Sequence, residues 1–166
     1  MPFFDASYLK IDDDIARALG FRRVFCAGSD FYMGKGQGKL IVDADAIGQG
    51  ALKALMAGNA VGIAFGFAAR IEEKVLAYAA AEEKLVVIDA GSIMRSAQAR
   101  QSQTLAKAHW LFMHAKRAGA RIAIATLSKN GYELRSAKQL MYLANAIGAT
   151  EAEAKLMLAE IGEALK

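Results

Sequence analysis

The stretch Arg121-Ile-Ala-Ile-Ala-Thr-Leu-Ser-Lys-Asn-Gly-Tyr-Glu-Leu-Arg-Ser-Ala-Lys-Gln-Leu140 contains one complete folding unit. After the arginine, Ile122 to Thr126 are apolar or small with two β-branched isoleucines, which suits a short strand covered on both faces. A polar segment with Lys129 and Gly131 follows, as a loop requires. Ser136 then stands at the position of a helix N-cap, with Gln139 three residues on. That spacing lets the serine hydroxyl accept from the backbone N–H of the third helical residue while the glutamine side chain reaches back. Ala137, Leu140, Met141, Ala144 and Ile147 fall on one helical face, so the unit reads as strand, loop and capped amphipathic helix.

The same unit recurs toward the N-terminus. Apolar runs at Pro2–Ala6, Arg22–Ala27, Lys39–Asp43, Ala60–Phe65, Lys84–Asp89 and Ala120–Thr126 are strand candidates. Between them lie helical stripes: Ile11, Ile15, Ala18, Leu19; then Ile47, Ala51, Ala54, Leu55; then Ala68, Ile71, Val75, Tyr78. Ile93–Ala118 is long for one helix, and Ser102 or Thr104 is expected to cap a second helix inside it. Repeated β/α units imply a parallel sheet with right-handed crossovers. An eight-fold barrel usually takes more than about 200 residues. This chain has 166, so the expectation is one domain over residues 1–166, a reduced or incompletely closed TIM-like β/α barrel. An open parallel α/β sheet is the structural alternative.

Charge is distributed unevenly. The chain has 21 Lys+Arg against 17 Asp+Glu, yet residues 95–138 carry nine bases and one acid, Glu133, while each flanking segment holds two more acids than bases. A concentrated positive field is the footprint of a polyanion partner, because neutralising phosphates releases condensed counterions. A solvated face that aids solubility is the competing reading. An apolar content of 55% with one proline excludes a disordered chain. Cys26 is the only cysteine, so no internal disulfide can form and a reducing cytoplasm is the expected setting. No basic region followed by an apolar stretch opens the chain, which argues against a signal peptide. Residues 54–69 are too short and too glycine-rich to span a membrane, and read as a helix end followed by a buried strand.

Candidate catalytic groups are sparse. His109 and His114 are five apart on one expected helix and do not share a face. Asp5, Asp43 and Asp89 fall near expected strand ends, where barrel enzymes place their sites and where carboxylates can hold Mg²⁺. Turn and helix-cap roles compete for such residues. Cys26 sits in an apolar run and reads as a buried structural thiol. The loop Gly28–Lys39 contains Lys35 and Lys39 among glycines, but neither lysine is followed by Ser or Thr, so it is not a P-loop. It reads as a mobile surface loop whose lysines could touch the phosphates of a polyanion partner. Trp110, with Leu111, Phe112 and Met113 beside it, is expected in the core.

The quoted stretch resembles the signature of the archaeal and eukaryotic ribonuclease P protein component 3 family. In that family a strand ends in a small polar pair, a loop carries a lysine, and Glu-Leu-Arg-Ser-Pro-x-Asp-Leu opens a helix. Here Glu133-Leu134-Arg135-Ser136 and Leu140 match, with Ala137 in place of the proline and Gln139 in place of the aspartate. Alanine is acceptable at the first helical position and glutamine still closes the capping box. Gly148 follows as a left-handed helix stop, and Thr150-Glu-Ala-Glu153 is a capping box for a last helix. Residues 60–166 can be laid on the family; residues 1–59 fit as generic β/α units.

The resemblance implies an α/β barrel trimmed by about one β/α unit, and a protein subunit of ribonuclease P. Its partners would be RNase P RNA, precursor tRNA in the assembled particle and at least one other protein subunit, with no membrane. The RNA would carry the active site, so no catalytic residue, metal or cofactor is assigned to the protein. Arg135, Lys129 and Lys138 are the leading candidates for RNA contact, since they flank one loop and helix start. Arg95, Arg100 and Arg117 come next. Arginine's planar fork suits bidentate phosphate contact, which puts Arg135 first; a salt bridge to Glu133 or a neighbouring acid is its competing role. Within the family, the short chain and lone cysteine point to an archaeal member. A small-molecule or Mg-dependent barrel enzyme using the strand-end aspartates is the rival reading.

Overall fold

The computed structural model describes residues 1–33, 38–68 and 70–166. In chain order its elements are β1 (Phe4–Ser7), α1 (Asp13–Ala18), β2 (Arg23–Cys26), β3 (Tyr32–Met33), β4 (Leu40–Asp43), α2 (Ala44–Ile47), α3 (Ala51–Leu55), β5 (Ala60–Phe65), α4 (Glu73–Ala81), β6 (Leu85–Asp89), α5 (Ala90–Arg95), α6 (Gln101–Ala118), β7 (Arg121–Ala125), α7 (Ala137–Ala146) and α8 (Glu151–Leu165). The strand pairs are parallel, and the strands follow one another in sequence order, as β1-β2 and as β3-β4-β5-β6-β7. Without a reversal of strand order, right-handed crossovers put the helices on one face and the sheet curls about the other.

The curl stops short of a continuous cylinder. Among the described residues the β2–β3 seam holds one parallel bridge, Ala27 to Phe31. The β7–β1 seam is stitched beyond the end of β7: Leu127 N–H donates to the Ala6 carbonyl at 2.8 Å and Tyr8 N–H to that of Ser128 at 3.0 Å. A side chain completes it, for Asp5 accepts from Thr126 N–H at 2.7 Å and from the Thr126 hydroxyl at 2.6 Å. The fold is therefore the incompletely closed barrel that the sequence suggests.

Alternation along the strands sorts the core into two shells. Val42, Ile63, Phe65, Val86, Ile88 and Ile124 face outward against the helices. Phe4, Ala6, Ile41, Ala64, Leu85, Val87, Ala123 and Ala125 form the interior, where the many alanines fit a narrow barrel. Ile161 and Leu165 of α8 belong to that interior cluster. At the N-terminal ends of the strands, Lys39 Nζ donates to the Ala164 carbonyl at 3.2 Å and Arg121 pairs with Glu160 at 2.6 Å. Gly162 lies against the Phe4 ring with no room for a Cβ between them. The last helix thus floors the barrel.

Four local expectations are corrected. The loop Gly28–Lys39 is not wholly a surface loop: it contains β3, and Phe31 is fully buried and anchors it. Lys39 is tied to α8, while Lys35 lies outside the described residues. The break within Ile93–Ala118 falls at Ser96–Ala97, not at Ser102 or Thr104, and Arg100 occupies the N-cap position of α6 with no side-chain cap bond. Trp110 is 37% exposed, stacked on His114 with centroids 3.8 Å apart, and outside the core; its neighbours Leu111 and Phe112 are the buried ones. Asp5 is the second residue of β1, not a strand-end group, and is buried in the seam.

The α7–α8 corner follows the sequence closely. Ser136 and Gln139 form a reciprocal capping box, and Thr150 and Glu153 form another. Gly148 takes the left-handed conformation (φ +100°), with the His109 ring packed where a side chain would begin. His109 Nδ1 lies 2.8 Å from the Ile147 carbonyl; with its proton on that nitrogen it donates there and closes the end of α7. Ala137 has a use beyond helix propensity: its N–H donates to the Leu19 carbonyl at 2.8 Å, fastening α7 to the end of α1. Proline in its place could not make that bond.

Candidate nucleic-acid interface

At the C-terminal end of β7 the chain passes through buried Thr126, Leu127 and Ser128 and emerges at exposed Lys129. Leu127 has φ +39°, an uncommon conformation for a branched side chain, held by its N–H bond to Ala6 and its burial. Gly131–Glu133 then form a single 3₁₀ turn, capped by the Asn130 side chain accepting from Tyr132 N–H.

Glu133, the lone acid of the basic stretch, turns inward. Its carboxylate accepts from Lys129 N–H at 2.8 Å, from Asn130 Nδ2 at 2.7 Å and from Arg95 Nη1 at 2.6 Å. Arg95 Nη2 reaches Asp89 Oδ2 at 2.9 Å, and Asp89 Oδ1 caps α5 by accepting from Ser92 N–H. The side chains of Asp89 and Glu133 are 11% and 10% exposed and that of Arg95 is 30% exposed. Burial pushes the Asp89 carboxyl up to about 7, against the pull of Arg95 and the N–H groups of Ser92 and Gly91, and the nearby Asp45 charge adds to the rise. Burial acts the same way on Glu133, but Lys129 N–H, Arg95 and Asn130 outweigh it and hold that carboxyl below its ordinary value.

This network braces a cationic surface. Lys129 is exposed, its ammonium 5.5 Å from the Tyr8 ring centre. Arg135 donates to the carbonyls of Tyr132 and Leu134, both at 2.7 Å, and forms no ion pair among the described residues. The Arg135–Glu133 salt bridge held open above is therefore not made; Arg95 takes that role. Lys138, exposed in the first turn of α7, lies 5.8 Å from the centre of the Tyr142 ring. Tyr132 is 93% exposed and Tyr142 61%. Neither tyrosine is visible as a site residue in sequence, because periodicity says nothing about an aromatic in a polar loop. The isolation of Glu133 among nine bases was the available sign of the buried network.

The remaining basic candidates are placed differently. Arg95 has both sides of its guanidinium engaged by carboxylates. Arg100 is exposed just before α6, on the same end of the barrel as Lys129. Arg117 is exposed in the last turn of α6, roughly 25 Å along the helix at 1.5 Å per residue, toward the barrel floor. The structure thus gathers Lys129, Arg135 and Lys138 and leaves Arg117 apart.

Beside this surface the barrel mouth encloses a cavity of about 300 Å³ lined by Tyr8, Asp43, Asp45, Asp89, Arg95 and Lys129. Asp43 spends its carboxylate capping α2 through Asp45 and Ala46 N–H, and Asp45 accepts from Ala68 N–H. Asp5 is buried in the β7–β1 seam on Thr126 and does not line this cavity, so the aspartate trio of the enzyme reading is not assembled. Among the described residues no cluster of His, Cys, Asp and Glu is arranged to hold a metal ion. His109 and His114 serve separate contacts, and Cys26 is half-buried at the end of β2. Among the described residues no helix is long and apolar enough to cross a membrane.

No family model and no curated protein matches the chain. Among solved structures, a chain of the cryo-EM structure of archaeal ribonuclease P with mature tRNA is similar in fold, with a TM-score of 0.69 and 12% sequence identity. The alignment covers 99% of this chain and 80% of that one. The shared property is the α/β architecture over nearly the whole length.

Proposed function

We propose that this chain is a protein subunit of ribonuclease P. It binds RNase P RNA through Lys129, Arg135 and Lys138, with Arg100 as an outlying contact, and docks with another protein subunit of the particle. In that role it supports RNA-catalysed removal of the 5′ leader from precursor tRNA. The observation that carries the reading is the likeness of fold, over 99% of the chain, to a component of an archaeal ribonuclease P structure. The Glu133-Leu134-Arg135-Ser136 motif supports it independently, because it supplies the buried glutamate, the half-exposed arginine and the helix cap of one basic surface. Phosphate contact is electrostatic and needs no general acid or base, which fits a basic stretch whose one acid, Glu133, is turned inward.

The test is reconstitution. Purified protein, RNase P RNA and candidate partner subunits are mixed and precursor-tRNA cleavage is followed. Cleavage that rises when this chain is added, and falls back with Arg135→Ala, is the expected result. Cleavage indifferent to the chain in every combination of partners would remove the proposal.

A further inference from the structure

The surface around Tyr132 has a feature that phosphate binding alone does not require. Tyr132 is 93% exposed, although burying a tyrosine ring is normally among the larger favourable terms a loop can gain. The backbone that carries the ring is fixed on both sides. Its N–H donates to Asn130 Oδ1 at 3.1 Å, and its carbonyl accepts from Arg135 Nη1 at 2.7 Å. The next residue, Glu133, is pinned inside by Lys129 N–H, Asn130 and Arg95. With both of its backbone polar groups engaged and its neighbour buried, the turn cannot fold the ring back without breaking this set.

Along the chain, the charge on either side of Tyr132 is predominantly of one sign. Lys129, Arg135 and Lys138 lie within six residues of Tyr132 on either side, and the one nearby acid is neutralised by Arg95. An exposed aromatic face on a fixed turn among cations matches a polyanion that also offers flat π-surfaces. In an RNA helix the bases are stacked on one another and the deep major groove is closed to side chains, so a ring can stack only on a base that is unpaired. We infer that Tyr132 is a stacking platform for an unpaired nucleotide, with Lys129, Arg135 and Lys138 holding the phosphates beside it. The RNA element at this surface is then a loop, bulge or single-stranded joint, not a continuous duplex. The inference rests on the RNA-binding reading above and narrows it.

The experiment uses the full chain and two RNA probes: a hairpin carrying 2-aminopurine in its unpaired loop, and a fully paired duplex with the same stem. The hairpin should bind more tightly and its 2-aminopurine fluorescence should be quenched. Tyr132→Ala should weaken hairpin binding on the order of 10-fold and abolish quenching, while leaving duplex binding and the unfolding midpoint unchanged. Tyr132→Phe and Tyr132→Trp should restore both signals, because the π-face and not the hydroxyl does the stacking. Equal binding of both probes, with Tyr132→Ala silent and Arg135→Ala weakening both, would overturn the stacking role and leave the RNA-binding surface standing. Tyr132→Ala that spares RNA but blocks association with a protein subunit would overturn it in favour of a protein contact. No binding of either probe would overturn the inference together with the reading beneath it.

Discussion

The two ends of this barrel are closed by different balances of apolar and polar contact. At the floor, α8 inserts Ile161 and Leu165 into the interior cluster, and Gly162 lets the Phe4 ring approach its backbone. At the mouth, closure is polar: Asp89, Arg95 and Glu133 hold one another and brace the Lys129–Glu133 turn. Apolar packing is non-directional and tolerant of sequence, so the floor rests chiefly on bulk and a close approach, with Lys39–Ala164 and Arg121–Glu160 as polar contacts beside it. A carboxylate–guanidinium network is directional and fixes positions, which is what a surface that must present Tyr132, Arg135 and Lys138 in set places requires. The floor serves stability, and the mouth serves geometry.

Substitutions at the two ends should therefore separate stability from binding. Gly162→Leu puts a side chain into the space of Phe4 and should lower stability by about 3 kcal/mol in urea unfolding, with RNA affinity of the remaining folded fraction unchanged. Between the ends, the β7–β1 seam should show in pH dependence. Burial raises the Asp5 carboxyl to about 6, its bonds to Thr126 and Ala6 opposing the rise. The folded state then binds a proton that the unfolded chain releases near pH 4, so this group's stability contribution is present in acid and is lost as pH rises through about 6. Asp5→Asn should remove that fall, making stability between pH 4 and pH 7 flatter by about 2 kcal/mol, as pH-dependent thermal unfolding would record.

Glu133→Gln should cost about 2 kcal/mol, less than a fully buried broken pair because Arg95 is 30% exposed and retains Asp89. Its larger consequence should be weaker RNA binding as the Lys129 turn loosens. Equal damage from Gly162→Leu and Glu133→Gln to folding, with none to binding from either, would erase the distinction between floor and mouth. The smallest effect concerns the resemblance itself. Ala137→Pro, which introduces the proline of the family the motif resembles, should destabilise by about 1 kcal/mol, since the Ala137 N–H to Leu19 bond is lost. A gain in the unfolding midpoint would show that the restricted unfolded chain outweighs the loss of this bond.

Periodicity carried the β/α series, because strands covered on both faces and helices with one apolar face leave different patterns in the chain. The capping boxes at Ser136 and Thr150 were readable because their bonds join residues three apart. What escaped depends on contacts between distant residues. The strand β3 has two residues and no pattern, and its place is set by Phe31 in the core. Trp110 was misplaced because its apolar neighbours are successive residues, and successive helical residues point about 100° apart. Asp5 meets Thr126 across 121 positions, and Glu133 meets Arg95 across 38, so neither bond has a local signature.

The measurement that bears most directly on the mouth as an RNA surface is the salt dependence of binding to RNase P RNA, for Arg135→Ala and Lys155→Ala side by side. Both remove one positive charge, but Lys155 sits on α8 paired with Glu151 at 2.6 Å, outside the basic stretch. Each phosphate contact should contribute a slope of about −0.7 to −0.9 in log K against log salt. Arg135→Ala should weaken binding and make the slope shallower by about one such unit, while Lys155→Ala changes neither. If the two variants behave alike, or if Arg135→Ala lowers only the unfolding midpoint, the basic stretch is a solvated face and the account is contradicted.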